Sequence, residues 1–253
     1  MENKKNIKIV VALIVCFVIY MFVVFLLSPK EKGTSGYLIH SGITSFYCQN
    51  AVCEYVSDSR VSTSSKEFSI YQYNEYVDTY QMSYQTDTWN FFKDGSWQAV
   101  YGDFLAIDTS LDFEYLPYET EEIPSSVRDL LTETTGISYE SLNNQQVFSL
   151  DLNENGEQDY IYAFSNQVEE ETGQDYFSVF FIELDGTIQM IYRETSLDSD
   201  SYSLPFYRLA GVVKVDGIVK IIVNKGYFSS QGNSSSILLT FDGEQFIEEA
   251  KPE

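Results

Sequence analysis

Nineteen consecutive residues without a charge, IVVALIVCFVIYMFVVFLL from Ile9 to Leu27, restrict what the start of this chain can become. As a helix the run is about 28 Å long at ~1.5 Å per residue, close to the ~30 Å hydrocarbon layer of a bilayer. A cleaved secretory signal is the competing reading, but its apolar stretch is usually shorter and ends in small residues. Here the run closes Phe25-Leu26-Leu27-Ser28-Pro29, with no such site. Cys16 follows Val15, where a lipid-modified cysteine would need a small neighbour, and eleven further residues of the run come after it. The sequence therefore predicts an uncleaved single-pass transmembrane helix over 9–27, behind a short tail, 1–8, and ahead of a polar stalk, 28–36.

Charge sets the orientation. Lys4, Lys5 and Lys8 precede the run and Lys30 and Lys32 follow it, so the positive-inside rule places the N-terminus in the cytoplasm. The chain has 15 Lys+Arg against 38 Asp+Glu, a net charge of −23. Of these, 12 basic and 37 acidic residues follow Leu27, so the acidity belongs to the extracytoplasmic part. Such a balance excludes an unassisted nucleic-acid binder, which needs a basic stripe against phosphates. His40 is the single histidine, which removes His-rich metal clusters and leaves one residue for any Ser-His-Asp arrangement. No G-x-S-x-G accompanies it, and a hydrogen-bonded or exposed strand histidine is the simpler reading. At 44% hydrophobic and 16% aromatic residues, the chain can bury a core and is not a disordered polyelectrolyte.

Cys48 and Cys53 enclose Gln-Asn-Ala-Val between strand-like flanks, the pattern of a disulfide across a tight hairpin. Such a bond persists in an oxidising compartment. From Tyr37 to Asp108 one strand pattern follows another. Tyr80, Met82 and Tyr84 alternate with Gln81, Ser83 and Gln85, the period of a half-buried strand. Asp94-Gly95 closes a hairpin between Trp89-Asn-Phe-Phe-Lys93 and Ser96-Trp97. Residues 37–108 read as a β-meander domain. Residues 109–142 read as an acidic linker with a short helix over 124–135, opened by Pro124 and carrying Val127, Leu130 and Leu131 on one face.

Residues 143–253 contain a weak internal repeat. Gly156 and Gly217 are 61 residues apart, and the Asp185-Gly186 and Asp242-Gly243 turns recur 57 apart. Each unit reads as loop, strand, hairpin, strand, Asp-Gly turn and strand, the pattern of a blade-like β repeat. The expected fold class is mainly β: an N-terminal transmembrane helix, then two β-rich regions joined by one short helix.

The first repeat holds the one motif with chemistry in it. Asp151-Leu-Asn153-Glu-Asn155-Gly156-Glu157-Gln-Asp159 has the spacing D-x-N-x-N-G-x-x-D. Ca²⁺ takes about six to eight hard oxygen ligands, and side chains at alternate positions of a sharply wound loop converge on one ion. Asp151, Asn153, Asn155 and Asp159 would supply side-chain oxygens and Glu157 its carbonyl. Tyr162 stands where an EF-hand needs its bidentate Glu, and the flanks are strand-like. Two amides in place of carboxylates lower the ligand charge, placing the affinity near ~10⁻⁴–10⁻³ M.

This loop and repeat resemble the calcium-binding FG-GAP/VCBS-type repeats of integrin-like β-propellers, over residues 146–253. The resemblance implies blade-like sheets and a scaffold that binds rather than catalyses. The chain departs from it in having two units, the second of which carries Val212, Lys214, Asp216 and Lys220 at the ligand positions, so one ion is expected at most. The whole chain also looks like membrane-anchored proteins of low-GC Gram-positive bacteria, which implies a compartment and no activity. The expectation is thus a non-catalytic, membrane-anchored extracytoplasmic binding or structural module with one structural Ca²⁺. Its partners would be membrane lipid and a cell-envelope protein or glycan. The alternative is a cell-envelope hydrolase using acidic residues in a cleft between the two β regions.

Overall fold

A computed structural model describes residues 34–252 apart from 42–43, 58–60, 62–65, 86–87, 136–143, 171–172, 196–204 and 228–233. The apolar run 9–27 lies outside the described residues, as do the tail and most of the stalk. Among the described residues no helix is long and apolar enough to cross a membrane. Thr34–Glu253 forms one compact unit, built mainly of β-strands in three antiparallel sheets.

The first sheet has the order β3-β2-β1-β8-β4-β5-β6-β7. Its strands are β1 (Ser35–His40), β2 (Thr44–Gln49), β3 (Val52–Val56), β4 (Glu67–Gln72), β5 (Glu75–Gln85), β6 (Thr88–Lys93), β7 (Ser96–Gln98) and β8 (Leu105–Asp108). The sheet is two meanders joined through β8, which pairs with β1 on one side and β4 on the other. All four residues of β8 are buried, so its run, apolar up to Asp108, shows no alternation and gives no sign of its central place. Cys48 and Cys53 stand directly opposite one another on β2 and β3 and form the disulfide. The turn between them, Asn50-Ala51, has both residues at positive φ, 51° and 64°, the geometry that matches strand twist in a two-residue hairpin.

The segment expected as a linker contributes β9 (Phe113–Tyr115), β10 (Glu119–Thr120) and the helix α1 (Ser125–Thr135). Strands of two or three residues are too short to show a period, which is why composition hid them. Pro124 opens the helix, its carbonyl accepting the N–H groups of Val127 and Arg128 at 3.1 and 3.2 Å. The second sheet runs β10-β11-β12-β13-β14, with β11 (Asn144–Leu150), β12 (Asp159–Glu170), β13 (Gly173–Leu184) and β14 (Thr187–Thr195). The third runs β18-β17-β16-β15-β9, with β15 (Pro205–Val215), β16 (Ile218–Tyr227), β17 (Ser235–Phe241) and β18 (Phe246–Ala250). The two sequence repeats fall on these two four-stranded meanders.

The sheets stack as layers. Ile123, Val127 and Leu131 lead the helix onto one face of the second sheet, against Tyr162, Phe164 and Phe181. The opposite face, with Ile161, Ala163, Phe180 and Ile182, packs on Val219, Ile221, Val223 and Leu239 of the third. The other face of the third sheet, Val213, Val215, Ile222 and Leu238, packs on Leu38, Phe46, Cys48 and Ile107 of the first. The third sheet is therefore buried on both sides. A register shift between Leu209 and Gly211 in β15 inserts one extra residue, Ala210, as a β-bulge. Tyr207, Leu209 and Val212 thus face the second sheet, while Val213 and Val215 face the first.

A charge lies inside this sandwich. Lys220 of β16 is fully buried and pairs with Glu249, while also donating to Thr240 Oγ1 at 3.2 Å. Burial pushes its ammonium below the usual lysine range, and Glu249 opposes the shift. Glu249 is itself the extra residue of a bulge in β18, skipped in the pairing of Leu238 with Ala250 and Leu239 with Glu248. Its other oxygen accepts the backbone N–H of Cys53 at 2.9 Å. Asp216, in the β15–β16 turn, accepts from Ala51 N at 2.9 Å and from Thr34 Oγ1 at 2.6 Å. Two carboxylates of the third sheet thus seat the disulfide hairpin of the first.

Glu249→Ala removes the counter-charge of a buried ammonium, a change that costs about 3–5 kcal/mol. The Lys220→Met/Glu249→Leu double variant loses the same seat for Cys53 but strands no charge. Urea unfolding should show the single variant clearly less stable than the double one; equal losses would mean the pair is not the reason.

Candidate functional site

Strand ends and turns from all three sheets converge on a cavity of about 410 Å³. The first sheet supplies the end of β4 and the Tyr73-Asn74 turn, together with His40 and the Asp103–Leu105 segment. The second supplies Gln146 and Phe148 of β11, and the third the cross-strand pair Arg208 and Asn224 beside the Ala210 bulge. Its volume lies within the ~300–1,000 Å³ of small-molecule sites.

Aromatic rings form one wall. Tyr71 and Tyr115 stack with centroids 4.1 Å apart and planes 9° from parallel, and Tyr118 lies edge-on to Phe148 at 4.6 Å. Tyr115 donates to Asn74 Oδ1 at 3.1 Å, and Asn74 Nδ2 donates to the carbonyl of Tyr118 at 2.7 Å. Burial raises the phenol pKa of Tyr71, Tyr115 and Tyr118, so all three remain protonated donors. Tyr73 and Asn74 both have positive φ, 50° and 66°, which costs a residue with a side chain about 1–2 kcal/mol. The strain holds Tyr73, 86% exposed, at the rim.

The polar groups of the cleft are mixed in character. Asp103 is the one carboxylate among the described residues that line it, so the two-acid arrangement of a glycoside hydrolase is not assembled there. Arg208 lies over the Phe206 ring at 4.7 Å and pairs with no carboxylate among the described residues. His40 is buried, and its Nδ1 lies 2.6 Å from Ser236 Oγ. Ser236 N in turn donates to Thr44 Oγ1 at 2.8 Å. Ser236 has no exposed surface, so this pair ties β1 to β17 and offers no nucleophile to a substrate. Burial lowers the His40 pKa to about 4, against a smaller opposing effect of Asp103.

The expected ion loop joins β11 to β12. Glu154 and Gly156 turn it through positive φ, 59° and 87°, while Leu152 anchors it in the core between the second and third sheets. Asp151 accepts from Asn155 N at 3.1 Å and Gly156 N at 2.8 Å. Asn155 Oδ1 accepts from Glu157 N at 2.7 Å, and Asn153 Oδ1 also accepts from Asn155 N at 3.2 Å. Asp159 is buried, taking the N–H of Leu152 at 2.9 Å and of Asp185 at 3.0 Å. Burial raises its pKa, the two backbone bonds lower it, and the nearby Asp185 and Asp151 charges raise it again.

Asp185, from the β13–β14 turn, also accepts from the side-chain amides of Asn153 and Asn155. Its place was not legible from the loop motif, although the Asp-Gly turn it belongs to was. Glu157 is exposed at the loop's outer edge. Among the described residues no three Asp, Glu, His or Cys side chains form a metal-binding group by themselves. A cation here would depend on the amide oxygens of Asn153 and Asn155 as well as the carboxylates. Lys214 reaches the loop from the third sheet and pairs with Glu154. Of the other equivalent positions of the second repeat, Val212 and Lys220 lie in the core, and Asp216 lies in the β15–β16 turn.

No family model, curated protein or solved structure matches the chain.

The His40 environment has a pH signature. Its ring stays neutral when folded down to about pH 4, whereas in the unfolded chain it protonates near the ordinary histidine value of 6.5. Protons then bind the unfolded state preferentially, so stability is lost as pH falls through this window, by roughly 3 kcal/mol in total. Relative to His40→Gln, the wild type should weaken between pH 6.5 and 4 in denaturant titrations; parallel profiles would refute the assignment.

Proposed function

We propose that the chain is a non-catalytic binding module, held at the outer face of a membrane by its N-terminal apolar run and braced by one Ca²⁺ in the Asp151–Asp159 loop. The observation that carries the binding role is the cleft. It is walled by stacked tyrosines and side-chain amides, and Asp103 alone among its described lining residues is a carboxylate. Such a surface orients a ligand by shape and hydrogen bonds, without the paired acid and base that hydrolysis requires.

The loop's fit to Ca²⁺ rests on its donor set. Asp151, Asn153, Asn155 and Asp159 present hard oxygens, with the carbonyl of Glu157, on a segment already wound by two left-handed residues. Asp151 and Asp185 act through space on the buried Asp159 carboxylate, and a cation relieves that crowding. When bound, the ion supplies electrostatic bracing between the β11–β12 loop and the β13–β14 turn. The disulfide fits an oxidising compartment, and the acid excess after Leu27 agrees with that side of the membrane.

With ~10 mM Ca²⁺ and a dissociation constant of ~10⁻⁴–10⁻³ M, linkage gives about 1.5–3 kcal/mol of stabilisation. The full chain should melt at higher temperature in Ca²⁺ than in chelator, and Asp151→Ala should abolish the difference. An unchanged melt in the wild type would remove the ion from the account. The anchor is tested separately: the full chain should stay with membranes through alkaline carbonate washing, and release into the supernatant would refute a spanning helix.

A further inference from the structure

Two amides that line the cleft are left incomplete by the protein. Oδ1 of Asn224 and Oε1 of Gln146 are buried with no hydrogen-bond donor among the described residues, and both residues belong to the cavity wall. They come from different sheets, β16 and β11, so one local irregularity does not explain both. An unpaired buried acceptor is destabilising. The neighbouring positions Val147, Phe148, Ile222 and Val223 are buried and apolar. The terminal torsion of Asn and Gln is broad and two-fold, so each amide can turn its oxygen toward a donor brought into the cleft.

The remaining walls narrow what that donor belongs to. Tyr71 and Tyr115, stacked on one another, line the cleft with aromatic ring surface. Arg208, without a carboxylate partner among the described residues, offers N–H donors beside Asn224, its cross-strand neighbour. A ligand that matches must carry closely spaced groups that both donate and accept, together with an apolar face. We propose that the cleft binds a saccharide, with ring hydroxyls meeting the amides of Asn224 and Gln146 and the guanidinium of Arg208, and ring C–H faces lying on the tyrosines. The cavity of about 410 Å³ has room for roughly one or two sugar rings. This assignment rests on the binding-module reading above and gives it a ligand class.

The test is saturation-transfer NMR on the full chain in a detergent without sugar head groups. The probes are maltose, cellobiose and N,N′-diacetylchitobiose, with trialanine as the peptide comparator. At least one disaccharide should show transfer, weakened tenfold or more by Asn224→Leu and by Gln146→Leu. Trp97→Ala, an exposed aromatic outside the cleft, should leave it unchanged. Both Leu variants should melt no lower than the wild type, because each deletes an unpaired acceptor; binding lost together with stability would overturn the assignment. Transfer from trialanine alone would overturn the saccharide while leaving a binding module. Silence from every probe, or binding that both Leu variants retain, would overturn the cleft as a ligand site. Cleavage of a bound disaccharide would uphold the saccharide and refute the non-catalytic reading.

Discussion

A β-sheet covered on both faces gives up its solvated side, and its central strands must be apolar in both phases. The central strand β16 of the third sheet meets that condition over Val219–Val223 save at Lys220. Val219, Ile221 and Val223 of β16 serve one interface while Ile222 serves the other. The second sheet and its helix pack on one side and the disulfide-bearing first sheet on the other. Because the sheet's two faces are occupied, the one fully buried charge among its described residues, Lys220, has no route to water and is paired inside the sandwich. Burying an ammonium is costly unless it is paired and hydrogen-bonded, and a bulge in β18 aims Glu249 at it.

The same stacking creates the cleft. Layers that pack along their middles splay where strands end and turns begin, and the Ala210 bulge adds local twist at that point in β15. Groups that would be rim residues on an isolated sheet, such as Asn224, Gln146 and Tyr71, are gathered around one volume. The Asp151–Asp159 loop lies on a different connection, β11 to β12, and contributes no residue to the cleft wall.

Turn chemistry was the most legible part of the fold. Asp94-Gly95, Asp185-Gly186 and Asp216-Gly217 all close two-residue connections at positive φ, as Asp-Gly between strand patterns implies. The Asn50-Ala51 and Tyr73-Asn74 connections take the same geometry without a glycine to announce it. The hairpin disulfide and the helix after Pro124 were also readable, because spacing and periodicity within a few residues specify them. The insertion of β8 between β1 and β4 was not, since strand order depends on partners far along the chain. Nor were the roles of Asp185, Asp216 and Glu249, whose acceptors and donors lie in other hairpins. The cleft was invisible for the same reason: no segment contributes more than a few of its residues.

The seat of the disulfide hairpin fixes an order of events. Ala51 is held by Asp216, 165 residues later, and Cys53 by Glu249, 196 residues later. His40 meets Ser236 across the same 196-residue interval. Contacts of such separation form late. The N-terminal hairpin of this unit, first out of the ribosome and able to close its own disulfide at once, has nowhere to dock until the last strand is made. Completion of the fold is therefore reported at its N-terminal end, the end that follows the apolar run in sequence.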